Sequence, residues 1–239
     1  MENSPKITLV IPTLNEIEGL KITIPRIDKS LFEEILVIDA KSTDGSVEYI
    51  QNQENIKLVT QKSSGLTGAM VEAINLVKTD YVVEFSPDNN CTPEELACIV
   101  EKLKEGYDIV VVSRYLGDAV SEDDTLITGI GNWFFSKMIR YLGNYPITDA
   151  LTMFRGYKVD IVRDKLFKKY LSTGHIFEPL ISAYGNLMNF KYIEIPGTEH
   201  KRIGGEAITD NKLNVIKAGI SISIMIFRLY LKKFFNINI

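Results

Sequence analysis

Thr79-Asp80-Tyr81-Val82-Val83-Glu84-Phe85-Ser86-Pro87-Asp88-Asn89-Asn90 passes from an apolar, β-forming run into a polar segment, and Thr92-Pro93-Glu94-Glu95 follows almost at once. The first run reads as a buried strand. The last reads as a helix start, with Thr92 as cap, Pro93 at the first helical position and Glu95 closing a capping box. The polar segment therefore sits at the carboxyl end of a strand, just before a helix, where open α/β sheets bind ligands. In extended chain Asp88 and Asn90 point to the same side. A carboxylate and an amide oxygen so placed suit one Mg²⁺ or Mn²⁺, an ion that leaves its other positions to water and substrate phosphates. The plainer reading is a polar strand-to-helix loop.

The same alternation extends outward. Upstream, Lys6–Pro12 is a β-rich run ending at Thr13-Leu14-Asn15-Glu16, followed by a helical stretch over Ile17–Ile27. Ile35–Ile38 is a second strand ending on Asp39, and Asp44-Gly45-Ser46 opens a helix, with Asp44 as its cap. Ile56–Val59 is a third strand, then comes the turn Lys62–Ala69 with Gly65. Its helix carries Met70, Ala73, Ile74 and Val77 on one face. Downstream, Pro93–Lys104 is a helix stopped by Gly106, and Asp108–Val112 is a fifth strand ending at Ser113-Arg114-Tyr115. Strands alternating with helices through short connections predict an α/β fold, a mostly parallel sheet covered on both faces. Right-handed crossovers gather the strand exits Asn15, Glu16, Asp39, Asp88 and Arg114 on one edge. That convergence points to a nucleotide or phosphate ligand.

Bulk properties bound the rest. The chain of 239 residues has 45% hydrophobic and 24% charged residues, an ordinary globular balance. A net charge of −4 without a basic stripe gives no reason to expect nucleic acid. Two cysteines and two histidines argue against a structural zinc or a disulfide framework and suit a reducing cytosol. The N-terminal apolar run is too short for a signal peptide, so a cytoplasmic protein is expected.

The second half is less regular. Ile127–Leu142 is helical, Asp149–Arg155 is a mixed polar segment, Gly174–Glu178 leads into a helix, and Phe190–Ile195 is a strand before the polar Glu199–Gly205. Residues 1–210 are expected to form the α/β domain and 211–239 a helical tail. Lys212–Phe235 is apolar on most sides, and its uncharged core Ala218–Phe227 is shorter than the roughly 20 residues a bilayer span needs. Three readings fit this tail: a helix lying on the inner face of a membrane, a helix packed on the domain, or a homo-oligomer contact.

Taken together, these segments form a pattern. Val10-Ile11-Pro12-Thr13-Leu14-Asn15-Glu16 resembles the opening "VIPxxNE" of family 2 glycosyltransferases, which have the GT-A fold. Val37-Ile38-Asp39-Ala40-Lys41-Ser42-Thr43-Asp44-Gly45-Ser46 resembles their "VVDDGSTDGT", Gly65-Leu66-Thr67-Gly68-Ala69 their "GxxxA", and Ser113-Arg114-Tyr115 their "GSRY". Asp149–Arg155 and Arg202-Ile203-Gly204-Gly205 resemble later segments of the branch that includes polyprenyl-phosphate mannose synthases. The resemblance covers residues 6–207.

The resemblance implies a nucleotide-diphosphate sugar as donor, with Pro12, Thr13, Asn15, Glu16 and Asp39 around the nucleoside and Gly65 nearby. It implies Mg²⁺ or Mn²⁺ on Asp88, joined by Asn90, and an inverting displacement with an oxocarbenium-like transition state. Asp149 and Glu178 fall where the branch places acidic groups near the acceptor, and a hydroxyl acceptor needs a base. Arg114, Arg155 and Arg202 suit phosphate oxygens, and His200 reads as a loop residue, with contact to the acceptor as the alternative. Plainer roles are an ion pair for Arg155 and a helix dipole for Glu178. The chain departs from the pattern at Ser86, the first DxD position, and at Ala40, the second acid of the base-binding pair. Asp123 and Asp124 stand where the branch has a lipid-phosphate arginine, which turns the expectation toward a glycan hydroxyl, with a lipid-linked acceptor as the alternative. A binding protein without transfer chemistry is a further alternative.

Overall fold

The computed structural model describes residues 4–204 and 212–235. Its centre is a seven-stranded sheet in the order β3-β2-β1-β4-β6-β5-β7. The strands are β1 (Ile7–Thr13), β2 (Glu34–Asp39), β3 (Lys57–Thr60), β4 (Tyr81–Glu84), β5 (Ile109–Ser113), β6 (Arg155–Lys158) and β7 (Tyr192–Pro196). β6 runs antiparallel to both its neighbours, and every other pairing is parallel. The expected mostly parallel α/β sheet is therefore present.

Alternation along each strand feeds two cores. Ile7, Leu9 and Ile11 of β1, with Ile35 and Val37 of β2, pack on one face of the sheet, while Val10, Leu36 and Ile38 pack on the other. Side chains of period two on a sheet covered on both sides account for the near-continuous apolar runs. The first face is covered by α1 (Ile17–Thr23), α2 (Ser46–Gln51) and α4 (Glu95–Lys104). The second is covered by α3 (Gly65–Leu76), α5 (Leu126–Arg140), α6 (Val159–Arg163), α7 (Lys165–Ser172), α8 (Phe177–Leu187) and α9 (Lys212–Phe235).

Three local expectations change. No side chain caps α4, which begins at Glu95. Glu95 instead accepts from the backbone N–H of Thr198, and burial first of all pushes its carboxyl up to about 7. The segment after β4 is a turn rather than extended chain, with Asn89 at φ +72°. β6, absent from the sequence reading, carries a fully buried Arg155 at its start.

The tail helix packs on the second core. Ile222, Met225, Ile226 and Leu229 of α9 are buried in the second core. The Tyr230 hydroxyl donates to the Met138 carbonyl at 2.7 Å, and Arg228 reaches Thr173 and His175. Leu213–Phe235 is nevertheless long and apolar enough to cross a membrane by length and composition, contrary to the expectation from its uncharged core. The boundary proposed at residues 210 and 211 lies outside the described residues.

Candidate functional site

The crossover from β1 to β2 runs one way along the sheet, and the chain later returns to lay β4 on the other side of β1. A crevice opens outside the carboxyl ends of strands at such a reversal. The exit of β1 supplies Pro12, Thr13, Leu14 and Glu16, and the exit of β4 supplies Ser86, Asp88 and Asn90, to one cleft of about 560 Å³. Gly65 and Leu66 bring the N-terminus of α3, Arg114 the end of β5, and Arg202 the segment after β7. Gly19 permits this closeness, since a Cβ there would lie 2.2 Å from the Pro87 carbonyl oxygen.

Asn15 and Asp39 act one step back from the cleft. The Asp39 carboxylate accepts from the backbone N–H groups of Lys41 and Ser42 and from the Ser42 hydroxyl. Asn15, at φ +55°, accepts from the Thr43 N–H at 2.8 Å and donates its own N–H to Ser42 Oγ. Both residues shape the loop whose Ala40 lines the cleft. The cap position of α2 is Gly45 rather than the expected Asp44; Asp44, one residue before it, accepts from the Ser46 N–H and hydroxyl and ties α2 to α1 by accepting from the Ile17 N–H.

At the centre, Arg202 Nη2 lies 2.8 Å from Asp88 Oδ2 and Nη1 lies 3.7 Å from Glu16 Oε1. Asp88 Oδ1 accepts from the Asn90 N–H at 3.1 Å. Burial, with the Asp88 charge behind it, pushes the Glu16 carboxyl up to about 7 against the pull of Arg202. Three buried polar atoms here have no partner: Asn90 Oδ1, Glu16 Oε2 and Arg202 Nε. Buried polar atoms are nearly always paired, so a cluster of orphans calls for a ligand. Asp88 with the orphaned Asn90 oxygen is an all-oxygen donor pair that fits Mg²⁺ or Mn²⁺. No group of three or more acidic, histidine or cysteine side chains suited to a metal occurs among the described residues. One or two protein oxygens suffice for ions that complete their shell with phosphate and water.

Five expected roles do not survive the geometry. Asp149 is fully buried, with its oxygens taken by Arg114 Nε at 2.6 Å, Arg114 Nη2 at 3.0 Å and the Thr152 N–H. It positions Arg114 and has no free oxygen toward an acceptor. Glu178 is buried beside Arg155 and Glu84, away from the cleft-lining residues, and burial raises its pKa. Arg155 donates to the carbonyls of Thr152, Ala150 and Glu178 and to Ser182 Oγ, so its donors are spent inside the domain. Arg114 lines the cleft, yet Asp149, Glu199 and Asp124 surround it. Burial works against its charge, and these carboxylates outweigh that and raise its pKa. It is spoken for before any phosphate arrives. His200 is outside the cleft lining, 3.7 Å from Glu122.

Sequence reasoning gave no catalytic or binding role to three acids on the cleft wall, Asp123, Asp124 and Glu199. Asp123, read as part of an acidic loop standing where the branch has a lipid-phosphate arginine, accepts from Asn90 Nδ2 at 3.0 Å and lines the cleft. Its proximity to Asn90 depends on a contact between residues 33 apart in the chain, which no local pattern announces.

A family model described as glycosyl transferase family 2 matches residues 8–166. The undecaprenyl-phosphate 4-deoxy-4-formamido-L-arabinose transferase of Yersinia enterocolitica is 28% identical over 192 residues, 76% of this chain and 56% of that protein. The chain thus spans little more than half of that relative. The glycosyltransferase AglJ of Haloferax volcanii is 24% identical over 229 residues, 95% of this chain and 73% of that protein. Among solved structures, glucosyl-3-phosphoglycerate synthase from Mycobacterium tuberculosis, in complex with Mn²⁺, UDP and glucosyl-3-phosphoglycerate, superposes with a TM-score of 0.63. That match is 17% identical and covers 96% of this chain and 80% of the other. The family model spans most of the strands that build the cleft, and the chain belongs to glycosyl transferase family 2, a glycosyltransferase with the GT-A fold.

Proposed function

We propose that the cleft takes a nucleotide-diphosphate sugar together with Mg²⁺ or Mn²⁺. The sugar then passes, with inversion, to a glycan or lipid-linked acceptor in the building of a surface polysaccharide or glycoconjugate. The carrying observation is the charge of the cleft. Five carboxylates line it (Glu16, Asp88, Asp123, Asp124 and Glu199) against the guanidiniums of Arg114 and Arg202. A diphosphate would be repelled from such a wall unless a divalent cation entered with it. Asp88 and Asn90 are the residues that would hold that ion, and when bound it supplies charge neutralisation on the departing diphosphate. The N-terminus of α3 at Gly65 adds a favourable field for phosphate oxygens.

In the displacement, an acceptor oxygen forms a bond to the anomeric carbon as the carbon–oxygen bond to the diphosphate breaks. The hydroxyl proton goes to a carboxylate. With Asp149 and Glu178 engaged elsewhere, Asp123 is the cleft acid with room for it, having a single side-chain partner in Asn90. The second reading, transfer to a polyprenyl phosphate, is favoured by the activity named for the Yersinia relative and needs no base.

The acceptor reaches the cleft from a membrane. Thr125 at the cap of α5, with Thr128 and Asn132 on it, lines the cleft, while Ile127, Ile130, Trp133 and Phe134 are exposed. α9 runs alongside, with Gly219 against Phe135, and exposes Ile216, Ile220 and Phe227. Exposed Lys137 and Lys217 accompany this apolar face, a composition suited to an anionic lipid surface at the inner side of a membrane. The test is sugar transfer from a panel of UDP-, GDP-, CDP- and dTDP-sugars with Mn²⁺ to a membrane lipid extract. Release of nucleoside diphosphate with labelled, solvent-extractable product is expected. Asp88→Asn should lower turnover by on the order of a hundredfold, a typical loss for one transition-state electrostatic group. Full turnover in Asp88→Asn at saturating Mn²⁺ would overturn the cation assignment.

A further inference from the structure

The segment Lys201–Ile203 is strapped across the turn that carries Asp88. The Ile203 N–H donates to the Asp88 carbonyl at 2.8 Å, and Asn89 Nδ2 donates to the Lys201 carbonyl at 3.1 Å. The main chain on both sides of Arg202 is therefore tied to the very turn it guards. Arg202 leaves Asp88 only by rotating its side chain.

We infer that Arg202 is a resident counter-ion of the cation subsite, which holds Asp88 until a nucleoside diphosphate arrives and then yields that carboxylate to the divalent ion. The inference rests on the proposed cation role of Asp88. Its independent support is geometric. Nη2 occupies Asp88 Oδ2, while Nε is buried without an acceptor, and Glu16 Oε2 and Asn90 Oδ1 are orphaned in the same cleft. A guanidinium has five donors in a planar fork, and a place built for it alone would satisfy them. This one leaves a donor and two oxygens over, the remainder expected if Arg202 is standing in for a second cation.

The consequence is a coupling between two ligands. A divalent ion approaching Asp88 alone meets a guanidinium already on the same oxygen and gains little. A diphosphate supplies oxygens that the fork can take in bidentate fashion, which frees Asp88 at the moment the metal's charge is needed. Linkage makes the effect mutual: nucleotide tightens the ion as much as the ion tightens nucleotide.

Mn²⁺ titration of the full chain, following the free-ion electron paramagnetic resonance signal with and without saturating UDP or GDP, reads this directly and needs no acceptor or turnover. Weak Mn²⁺ binding that tightens on the order of tenfold or more with nucleotide is expected. Arg202→Met should bind Mn²⁺ alone more tightly by a similar factor, and its coupling should collapse toward one. Arg202→Lys, which keeps a charge on the same strap, should bind Mn²⁺ alone as weakly as the parent. Arg202→Gln replaces the Met variant if thermal melts show that the latter does not fold. If Arg202→Met binds Mn²⁺ alone no better than the parent, or keeps full coupling, the counter-ion role is refuted. Asp88→Asn separates the two levels. If it binds Mn²⁺ in the ternary complex as the parent does, the cation assignment falls and takes the inference with it. If it loses Mn²⁺ while Arg202→Met behaves as parent, only the inference falls.

Discussion

At the scale of single residues, arginine shows how little side-chain type says about task. Arg114, Arg155 and Arg202 share a family motif context, yet each meets a different environment. Arg155 is fully buried and donates to three backbone carbonyls and Ser182. Its replacement by Met would leave those acceptors unpaired in a medium that cannot solvate them. A stability loss of about 3 kcal/mol or more is expected, since buried polar groups stripped of a charged partner are costly. Urea denaturation should show a lower midpoint, and the folded fraction should keep its donor KM. A raised donor KM at unchanged stability would instead return Arg155 to the phosphates. Asp149 offers the matching lesson, because its carboxylate is consumed in holding Arg114.

At the scale of elements, α5 has two faces with two tasks. Thr128 and Asn132 look into the cleft, and Ile130, Trp133 and Phe134 look out. Trp133 is the chain's single tryptophan, so its fluorescence reports on this face alone. With anionic vesicles its emission should shift to the blue, and sedimentation should carry the protein down with the lipid. A triple Ile130→Ser, Trp133→Phe, Phe134→Ser variant should sediment several-fold less while melting within a few degrees of the parent, because exposed substitutions cost little stability. An unshifted Trp133 spectrum would remove the membrane from the proposal. α9 illustrates the same duality, with Met225 and Leu229 inside the second core and Ile220 and Phe227 outside it.

At the scale of the whole molecule, the interior holds acids that dislike being charged. Burial first, then the nearby Glu178, pushes Glu84 up to about 8, although the Tyr157 hydroxyl donates to it at 2.7 Å. A carboxyl whose folded pKa exceeds its unfolded one of about 4.5 binds more protons when folded. Its contribution therefore falls as pH rises from about 4.5 and is lost once pH passes about 8. The parent Tm should drop between about pH 5 and 8, and Glu84→Gln, which keeps an acceptor for Tyr157, should flatten that drop. An equal drop in both proteins would place its origin elsewhere.

Much of this molecule is written locally. β1, β2, β4 and β5 are legible because a strand buried on both faces must be an apolar, β-branched run. Their exits are legible because polar residues end such runs. Strand exits point Glu16 and Asp88 to one edge of the sheet, the family resemblance adds Arg202, and all three line the cleft. β6 was not legible, since Arg-Gly-Tyr-Lys has charges at both ends and becomes a strand only where other segments neutralise its arginine. The acids near the acceptor failed for the same reason. Residue type tells that Asp149, Glu178 and Asp123 are carboxylates, and chain order places them after the fifth strand. Which of them faces the cleft depends on partners that tertiary folding brings from distant positions, and a charge buried with a partner has a different chemistry from one left with a free oxygen.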